Sequence, residues 1–314
     1  MIVRPLTKQP GPSTVNRWRC VFLHLERSFP ERLAGTLTED EARQWANGLG
    51  TDKRKPWTVN DVWIRAARTV FAWAKEQRLV GTNPFKGVRV TEPRRHRLRE
   101  TKAFTKDEAR TILQAALELG SPTEAFPAAC RWVPWLSAYS GARAGEMCQL
   151  RGSDVIQRDG IHAIRITPEA GTTKTGRPRI VPIHEHLIDQ GFLEFVASRG
   201  KGPLFYVPIS GDAHTKEEQE LRSQDPTNPK RPRPVIARKR LAQWVRDLGI
   251  TDRELSPTHA WRHTFKATAA RHELSETVID AITGHTQLTI GRGYAVPTLE
   301  DMAKALQRFP RYVI

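Results

Sequence analysis

Apolar side chains recur at helical spacing through the first part of the chain. Between Val15 and Phe29 an apolar residue returns every three or four positions, and Pro30 ends that pattern. Similar stripes continue to about residue 88, and their Trp and Phe side chains keep the same spacing. This favours core positions over a base-stacking surface. The pattern predicts a helical domain over 13–88, preceded by a flexible leader at 1–12.

Local capping signals mark where these helices begin and end. Thr38 and Glu41 have the spacing of a capping box and predict a short second helix. Thr58 is a candidate N-cap for a third helix. The Asn83-Pro84 pair then breaks the chain, because a residue before proline disfavours helical backbone.

A second domain is predicted over 103–314, after a linker at 89–102. The capping box of Thr105 and Glu108 opens its first helix, and another helix over 127–139 stops at Ser140-Gly141. Further elements are predicted as strands at 155–158, 161–166 and 179–183, a polar loop insertion at 209–234, a helix at 235–248 and a final helix at 298–309. The predicted class is mainly α with a small antiparallel β-sheet (α+β).

Charge narrows the range of partners. The chain has 314 residues with a formal net charge of +16 and a sequence pI near 10.3, which favours a polyanion such as nucleic acid. The linker is the most basic stretch, and we expect it to cross DNA phosphates. Its arginines are Arg89, Arg94, Arg95, Arg97 and Arg99.

Membrane and secretion signals are missing from the sequence. No apolar run approaches the roughly 20 residues that span a bilayer, and the N-terminus has no apolar signal-peptide core. We therefore expect a cytoplasmic, nucleoid-associated protein. Cys20, Cys130 and Cys148 lie far apart and predict free thiols instead of disulfides.

Residues suited to phosphate chemistry are concentrated near the C-terminus. His259 and Arg262 form a His-x-x-Arg pair, and Gly284-His285 and Tyr294 follow. Guanidinium groups bind phosphate oxygens bidentately, imidazole moves protons near neutral pH, and a phenol is a candidate nucleophile. His259 and His263 are four residues apart, but Ala260 replaces the glutamate of a zinc HExxH motif, so we expect no metal and no cofactor.

Two further segments complete a pattern that resembles the tyrosine recombinase (phage integrase) family. GARAGE carries Arg143 and Glu146 one helical turn apart, and TTKTGRP carries Lys174 between two predicted strands. By resemblance, the fold is a helical core-binding domain followed by a catalytic domain. The implied catalytic residues are Arg143, Lys174, His259, Arg262, His285 and Tyr294, with Glu146 and His263 in support.

The resemblance also implies a mechanism. Tyr294 would attack a DNA phosphodiester to form a 3′-phosphotyrosyl intermediate, with His259 as base and Lys174 as acid. The covalent bond conserves energy, so neither ATP nor a metal is needed. Family members act as tetramers on two double-stranded DNA sites, with the C-terminal helix docking on a neighbour, and accessory DNA-bending proteins are candidate partners.

Alternatives share part of this pattern. A type IB topoisomerase uses similar groups but religates the same strand, and a DNA-binding regulator on the same scaffold would not need the phenol. The long insertion at 209–234 favours an integrase of a mobile element over a chromosome-dimer resolvase. Many phage integrases carry an arm-binding domain before the first helix, and here only about a dozen residues precede it.

Overall fold

The computed structural model describes residues 12–51, 54–93, 99–170, 178–208, 233–285 and 296–314. They form two compact units, one containing the described residues up to 93 and the other those from 99 onward. The first is helical and the second combines helices with a three-stranded antiparallel sheet, which confirms the predicted α+β class.

In the described residues of the first unit, three helices surround the core. α1 is Pro12–Ser28, α2 is Glu39–Gly48, and α3 runs without a break through Pro56–Thr58, a π-helical turn at Val59–Ile64 and Arg65–Glu76. A 3₁₀ turn at Ala34–Thr36 precedes α2. The predicted capping box of α2 is confirmed, since the Thr38 amide donates to Glu41 Oε2 at 2.9 Å and the Glu41 amide donates to Thr38 Oγ1 at 3.3 Å.

The predicted start of the third helix is wrong by three residues. Thr58 has helical backbone angles, φ −68° and ψ −38°, and makes no side-chain capping bond. The helix begins at Pro56 after an extended Lys55. Proline suits the first helical position because its missing N–H has no partner there and its φ is already helical.

Aromatic side chains fill the interior of the first unit, as their spacing predicts. Trp45, Trp63, Phe71 and Phe85 are buried in one cluster. Trp45 also donates its indole N–H to Nδ1 of His24 at 3.2 Å, which satisfies a polar group that burial would otherwise leave unpaired. These rings hold the helices together and are not free to stack on bases.

The second unit is largely helical. Its helices are α4 (Lys106–Glu118), α5 (Ala125–Ser140), α6 (Ala144–Cys148), α7 (Glu185–Asp189), α8 (Phe192–Arg199), α9 (Arg233–Asp247), α10 (Ala260–Arg271), α11 (Glu276–Thr283) and α12 (Leu299–Gln307). α9 shows that the insertion predicted to end at 234 ends earlier. α7 was not anticipated, because its cap is His184, whose Nδ1 accepts the His186 amide at 3.1 Å, instead of a Ser, Thr, Asp or Asn.

The sheet follows the predicted hairpin. Its order is β1 (Val155–Arg158), β2 (Ile161–Ile166) and β3 (Arg179–Pro182), with Arg158 opposite Ile161. Asp159 and Gly160 have φ of +53° and +76°, the left-handed backbone that a two-residue hairpin requires. β3 ends one residue before the predicted boundary.

α5 is the central helix of the second unit. Every residue from Ala128 to Ser140 is buried, and α4 and α10 pack against it. Gly141 ends α5 with φ +56°, and a Cβ there would lie 2.7 Å from Cδ1 of Phe265. Glycine is therefore required where the chain leaves α5 and turns into the segment that carries Arg143.

The C-terminal helix packs within its own chain in this structure. The predicted cap Thr298 forms a capping box with Asp301, and Met302 and Leu306 are buried against the core that includes the sheet. Phe309 extends this packing by stacking on Phe265 with ring centroids 5.0 Å apart. In the described part of the chain, no helix has the length and apolar character needed to cross a bilayer.

Candidate active site

Arg143 lies at the start of α6, where the chain emerges from the glycine turn. Its amide donates to Glu146 Oε2 at 3.1 Å and its Nη1 donates to Glu146 Oε1 at 2.9 Å, so the structure contains the pair that the spacing predicts. Glu146 is buried, with 3% of its side chain exposed, whereas Arg143 keeps 23%. The buried carboxylate therefore anchors the arginine and leaves part of its guanidinium accessible to solvent.

Arg179, the first residue of β3, contacts the same carboxylate. Its Nη2 donates to Glu146 Oε2 at 2.6 Å, and its Nε donates to the Ile282 carbonyl at 3.2 Å. Burial opposes ionisation of Glu146, but the bond and charge of Arg179, followed by those of Arg143, outweigh it and hold the pKa of this carboxyl below its usual range.

Arg262 is almost completely buried near the start of α10. Its Nη1 donates to the carbonyls of Gly141 and Thr283, which ties it to the turn that ends α5 and to the last residue of α11. Burial first, and then the charge of Arg143, lower the pKa of Arg262 to about 10. Its buried Nη2 has no hydrogen-bond partner among the described residues. A buried donor without an acceptor favours an anionic ligand.

Two histidines flank this arginine along the chain, the exposed His259 and the half-buried His263. The rings of His259 and His263 meet edge to face, with centroids 5.1 Å apart. Desolvation, the neighbouring His263 and the charges of Arg262, Arg143 and Lys102 lower the pKa of His259. The imidazole is therefore neutral near pH 7 and can accept a proton.

His285 completes the described site just after the turn that ends α11. Gly284 has φ +67°, and the His285 amide donates to the Asp280 carbonyl at 2.9 Å. Asp280 is buried, accepts Nζ of Lys266 at 3.0 Å and lies 3.8 Å from Nδ1 of His285. Desolvation first, and then the charges of Lys266 and Arg262, lower the pKa of His285.

These elements produce a cationic pocket. Arg143 influences the ionisation of Arg262, His259 and His285, so groups from three separate segments share one electrostatic environment. Arg143 and Arg179 pair with Glu146, and Lys266 pairs with Asp280. Together with Arg262, these cations exceed the two carboxylates by two positive charges when the histidines are neutral. The pocket is suited to a phosphate whose negative charge increases during reaction.

A profile of the phage integrase family matches residues 102–300. The chain belongs to this family. The match spans the described pocket as well as Lys174 and Tyr294. A search of curated protein sequences finds no significant match.

Solved integrase structures resemble the fold of this integrase. A lambda integrase dimer bound to a COC′ core site has a TM-score of 0.58 and 17% identity, covering 94% of this chain and 73% of that one. The Tn1549 transposon integrase in complex with transposon right end DNA has a TM-score of 0.57 and 17% identity, and the match covers 96% of this chain and 95% of that one. XerH recombinase bound to difH substrate has a TM-score of 0.54 and 16% identity, and the match covers 93% of this chain and 78% of that one. By family and fold, the chain is a tyrosine site-specific recombinase.

Some predicted site residues lie outside the described part of the integrase. Lys174 and Tyr294 do so, as do Arg94, Arg95 and Arg97 of the linker. Among the described residues, the structure brings together Arg143, Glu146, His259, Arg262, His263 and His285.

The two described linker arginines have different environments. Arg89 is exposed, with one contact of 3.5 Å to Glu92. Arg99 uses all of its N–H groups within its own unit: they reach Glu108, Asp252 and the carbonyls of Thr101 and Ala103. Its side chain is only 14% exposed. Its predicted contact with DNA phosphate therefore does not fit this structure, in which Arg99 anchors the start of the catalytic unit.

Sequence reasoning missed Arg179, Asp280, Lys266 and Lys102. The pattern predicts Arg179 only as a strand residue, although a charged residue beside the apolar Ile180 and Val181 is a signal that it has a specific partner. Asp280 offered a similar signal, a carboxylate within the apolar sequence VIDAI. Their partners lie in other segments, so sequence spacing alone did not reveal the pairs.

Proposed function

We propose that this integrase cuts and rejoins double-stranded DNA with Tyr294 as the nucleophile. The observation that carries the proposal is the buried Arg262, whose Nη2 lacks an acceptor, in a pocket shared with Arg143 and two histidines. Such a pocket suits the non-bridging oxygens of a phosphodiester. The proposal assigns the phenol to Tyr294 and the acid to Lys174, both of which lie within the matched residues 102–300.

The proposed reaction moves one proton at each end of the transfer. His259 takes the phenol proton as Tyr294 bonds to phosphorus, and Lys174 protonates the departing 5′ oxygen. At pH 7 the ionisation of an unassisted phenol of pKa near 10 costs about 4 kcal/mol, which is why the reaction requires a base such as a neutral imidazole. Religation reverses these steps with the 5′ hydroxyl of another strand.

The proposed substrate is a pair of DNA sites held by a tetramer, for integration or excision of a mobile element. A lambda integrase tetramer bound to a Holliday junction and the Tn1549 transposon integrase bound to transposon DNA support this by similarity of fold. We further propose that Arg89, Arg94, Arg95 and Arg97 contact phosphates. Replacing them with glutamine should then flatten the salt dependence of duplex affinity, and an unchanged slope would refute that contact.

The decisive experiment is covalent trapping. Nicked suicide duplexes from the flanks of the gene are incubated with the wild type, Tyr294→Phe and the control Tyr206→Phe, and denaturation-resistant adducts are counted. We expect adducts with the wild type and the control and none with Tyr294→Phe. Tight DNA binding without an adduct on any flank would contradict the proposal and favour a non-catalytic regulator.

A second assay separates the recombinase from a topoisomerase. Two duplexes with distinguishable ends are mixed with the wild-type protein after an adduct has been found. Products that join ends from different duplexes indicate recombination. Relaxation of supercoiled plasmid without such products would favour the type IB topoisomerase alternative.

A further inference from the structure

Arg179 links three parts of the pocket. Its side chain, 12% exposed, bonds to Glu146 on α6 and to the carbonyl of Ile282 on α11. It also lies at the start of the strand that follows the segment containing Lys174. One guanidinium therefore connects the Arg143 segment, the turn before His285 and β3.

The backbone at Gly284 is shaped around this guanidinium. A Cβ at Gly284 would lie 2.8 Å from Cζ and Nη1 of Arg179, closer than real Cβ contacts come. The next residue is His285. Because Gly284 has no side chain, the guanidinium of Arg179 can pack against the backbone of the turn that precedes this histidine.

The charges explain why two arginines share one carboxylate. Glu146 is buried beside a pocket suited to phosphate, and a lone carboxylate there would repel the substrate. If Arg143 alone neutralised it, that pair would have no net charge. With Arg179 bonded to Oε2 and Arg143 Nη1 bonded to Oε1, the three groups carry one net positive charge, and the more accessible member is Arg143.

We propose that Arg179 is a positioning residue for DNA cleavage that neutralises Glu146, so that Arg143 acts on the scissile phosphate with uncompensated charge. Through Ile282 and Gly284 it also holds the turn of His285. The inference rests on the proposed function, and it adds a residue that does not itself need to touch DNA.

A double-mutant cycle tests the charge argument. Single-turnover adduct formation and duplex affinity are measured for Arg179→Gln, Glu146→Gln and the double variant, with Arg158→Gln as a control that removes an exposed arginine of the same sheet. We expect Arg179→Gln to slow cleavage about 100-fold with affinity within about threefold. Removing the unpaired carboxylate in the double variant should restore at least about tenfold. Additive effects, or a wild-type rate in Arg179→Gln, would overturn the inference while the proposed function stands.

Arg179→Lys tests whether Arg179 holds the turn of His285. It also serves as the test if the Arg179→Gln variant does not fold. Lysine keeps the charge but cannot bridge both partners in the same planar geometry. We expect an intermediate rate, about tenfold below the wild type, with unchanged affinity. A wild-type rate in this variant would overturn the proposed link to the His285 turn.

A DNA-free measurement separates this inference from the proposed function. In the wild type the pKa of Glu146 is depressed, so its contribution to stability is present above its unfolded pKa and is lost only as pH falls through the folded one. Without Arg179, burial opposes ionisation, and the carboxyl should take up a proton as pH falls. The deficit in Tm of Arg179→Gln should therefore be larger at pH 7.5 than at pH 5, and equal at both in the double variant. A pH-independent deficit in Arg179→Gln would overturn the inference even if no DNA site is ever found.

Discussion

Gly284→Ala is the substitution whose effect can best be worked out from the structure. Gly284 has φ +67°, and its added Cβ would lie 2.8 Å from the guanidinium carbon of Arg179. Gly120 provides a matched control, because its φ is +62° but nothing lies within 4 Å of its Cβ position. Both substitutions impose left-handed backbone on alanine, and only one of them meets Arg179.

The two effects have different magnitudes. Left-handed backbone costs an L-residue about 1–2 kcal/mol, which is the whole expected loss at Gly120. At Gly284 the guanidinium must also move away from Glu146, and a hydrogen bond to a charged group contributes about 1.5–3 kcal/mol. The total expected at Gly284 is therefore about 2.5–5 kcal/mol, the sum of those two ranges.

Chemical denaturation and adduct formation together test this reasoning. We expect Gly120→Ala to lose about 1–2 kcal/mol of unfolding free energy and to cleave at the wild-type rate. Gly284→Ala should lose more stability and cleave at least about tenfold more slowly, because Arg143 loses the support of Arg179 through Glu146. Equal losses of stability in the two variants, with normal cleavage in both, would refute the argument.

Two further predictions concern the carboxylates and the linker. In Asp280→Asn the titration midpoint of His285, followed by NMR, should move to lower pH, because the Asp280 carboxylate opposes the lowering of the His285 pKa. The control Asp159→Asn changes an exposed carboxylate and should leave the midpoint where it is. An upward shift in Asp280→Asn would contradict the pairing. Arg99→Gln should lose about 2–3 kcal/mol of unfolding free energy, because its partners are partly buried, whereas the exposed Arg89→Gln should lose less than about 0.5. Equal losses in these two variants would show that Arg99 is not an anchor.

Local signals predicted much of the fold. The capping boxes at Thr38, Thr105 and Thr298 mark the starts of helices in the structure, and Asp159-Gly160 forms the expected hairpin turn. These features depend on neighbours three or four residues away, which a sequence displays directly. The third helix shows the limit of these capping signals. Its N-cap is Lys55, which makes no side-chain capping bond, because a helix that begins on proline does not need one.

The site residues divide by the same criterion. The pair of Arg143 and Glu146 spans one helical turn and was predictable from spacing. Arg179 and Glu146 are 33 residues apart, and Arg179 and Ile282 are 103 apart, so only the packed sheet and helices bring them together. The contacts of Arg99 could not be predicted for the same reason, because its distant partner Asp252 is invisible in a run of basic residues.

Net charge therefore describes the active site less well than the pairing of its charges. The basic stretch that looked most suited to DNA includes Arg99, whose side-chain donors are all occupied, whereas Arg262, a deeply buried arginine of the pocket, keeps a donor without an acceptor. The same holds for a negative group. The Glu146 carboxylate is tolerated beside a phosphate pocket because a second arginine, Arg179, neutralises it. In this integrase, the positive charge that is available to a phosphate is decided by how the fold pairs the guanidinium groups of the pocket with its carboxylates.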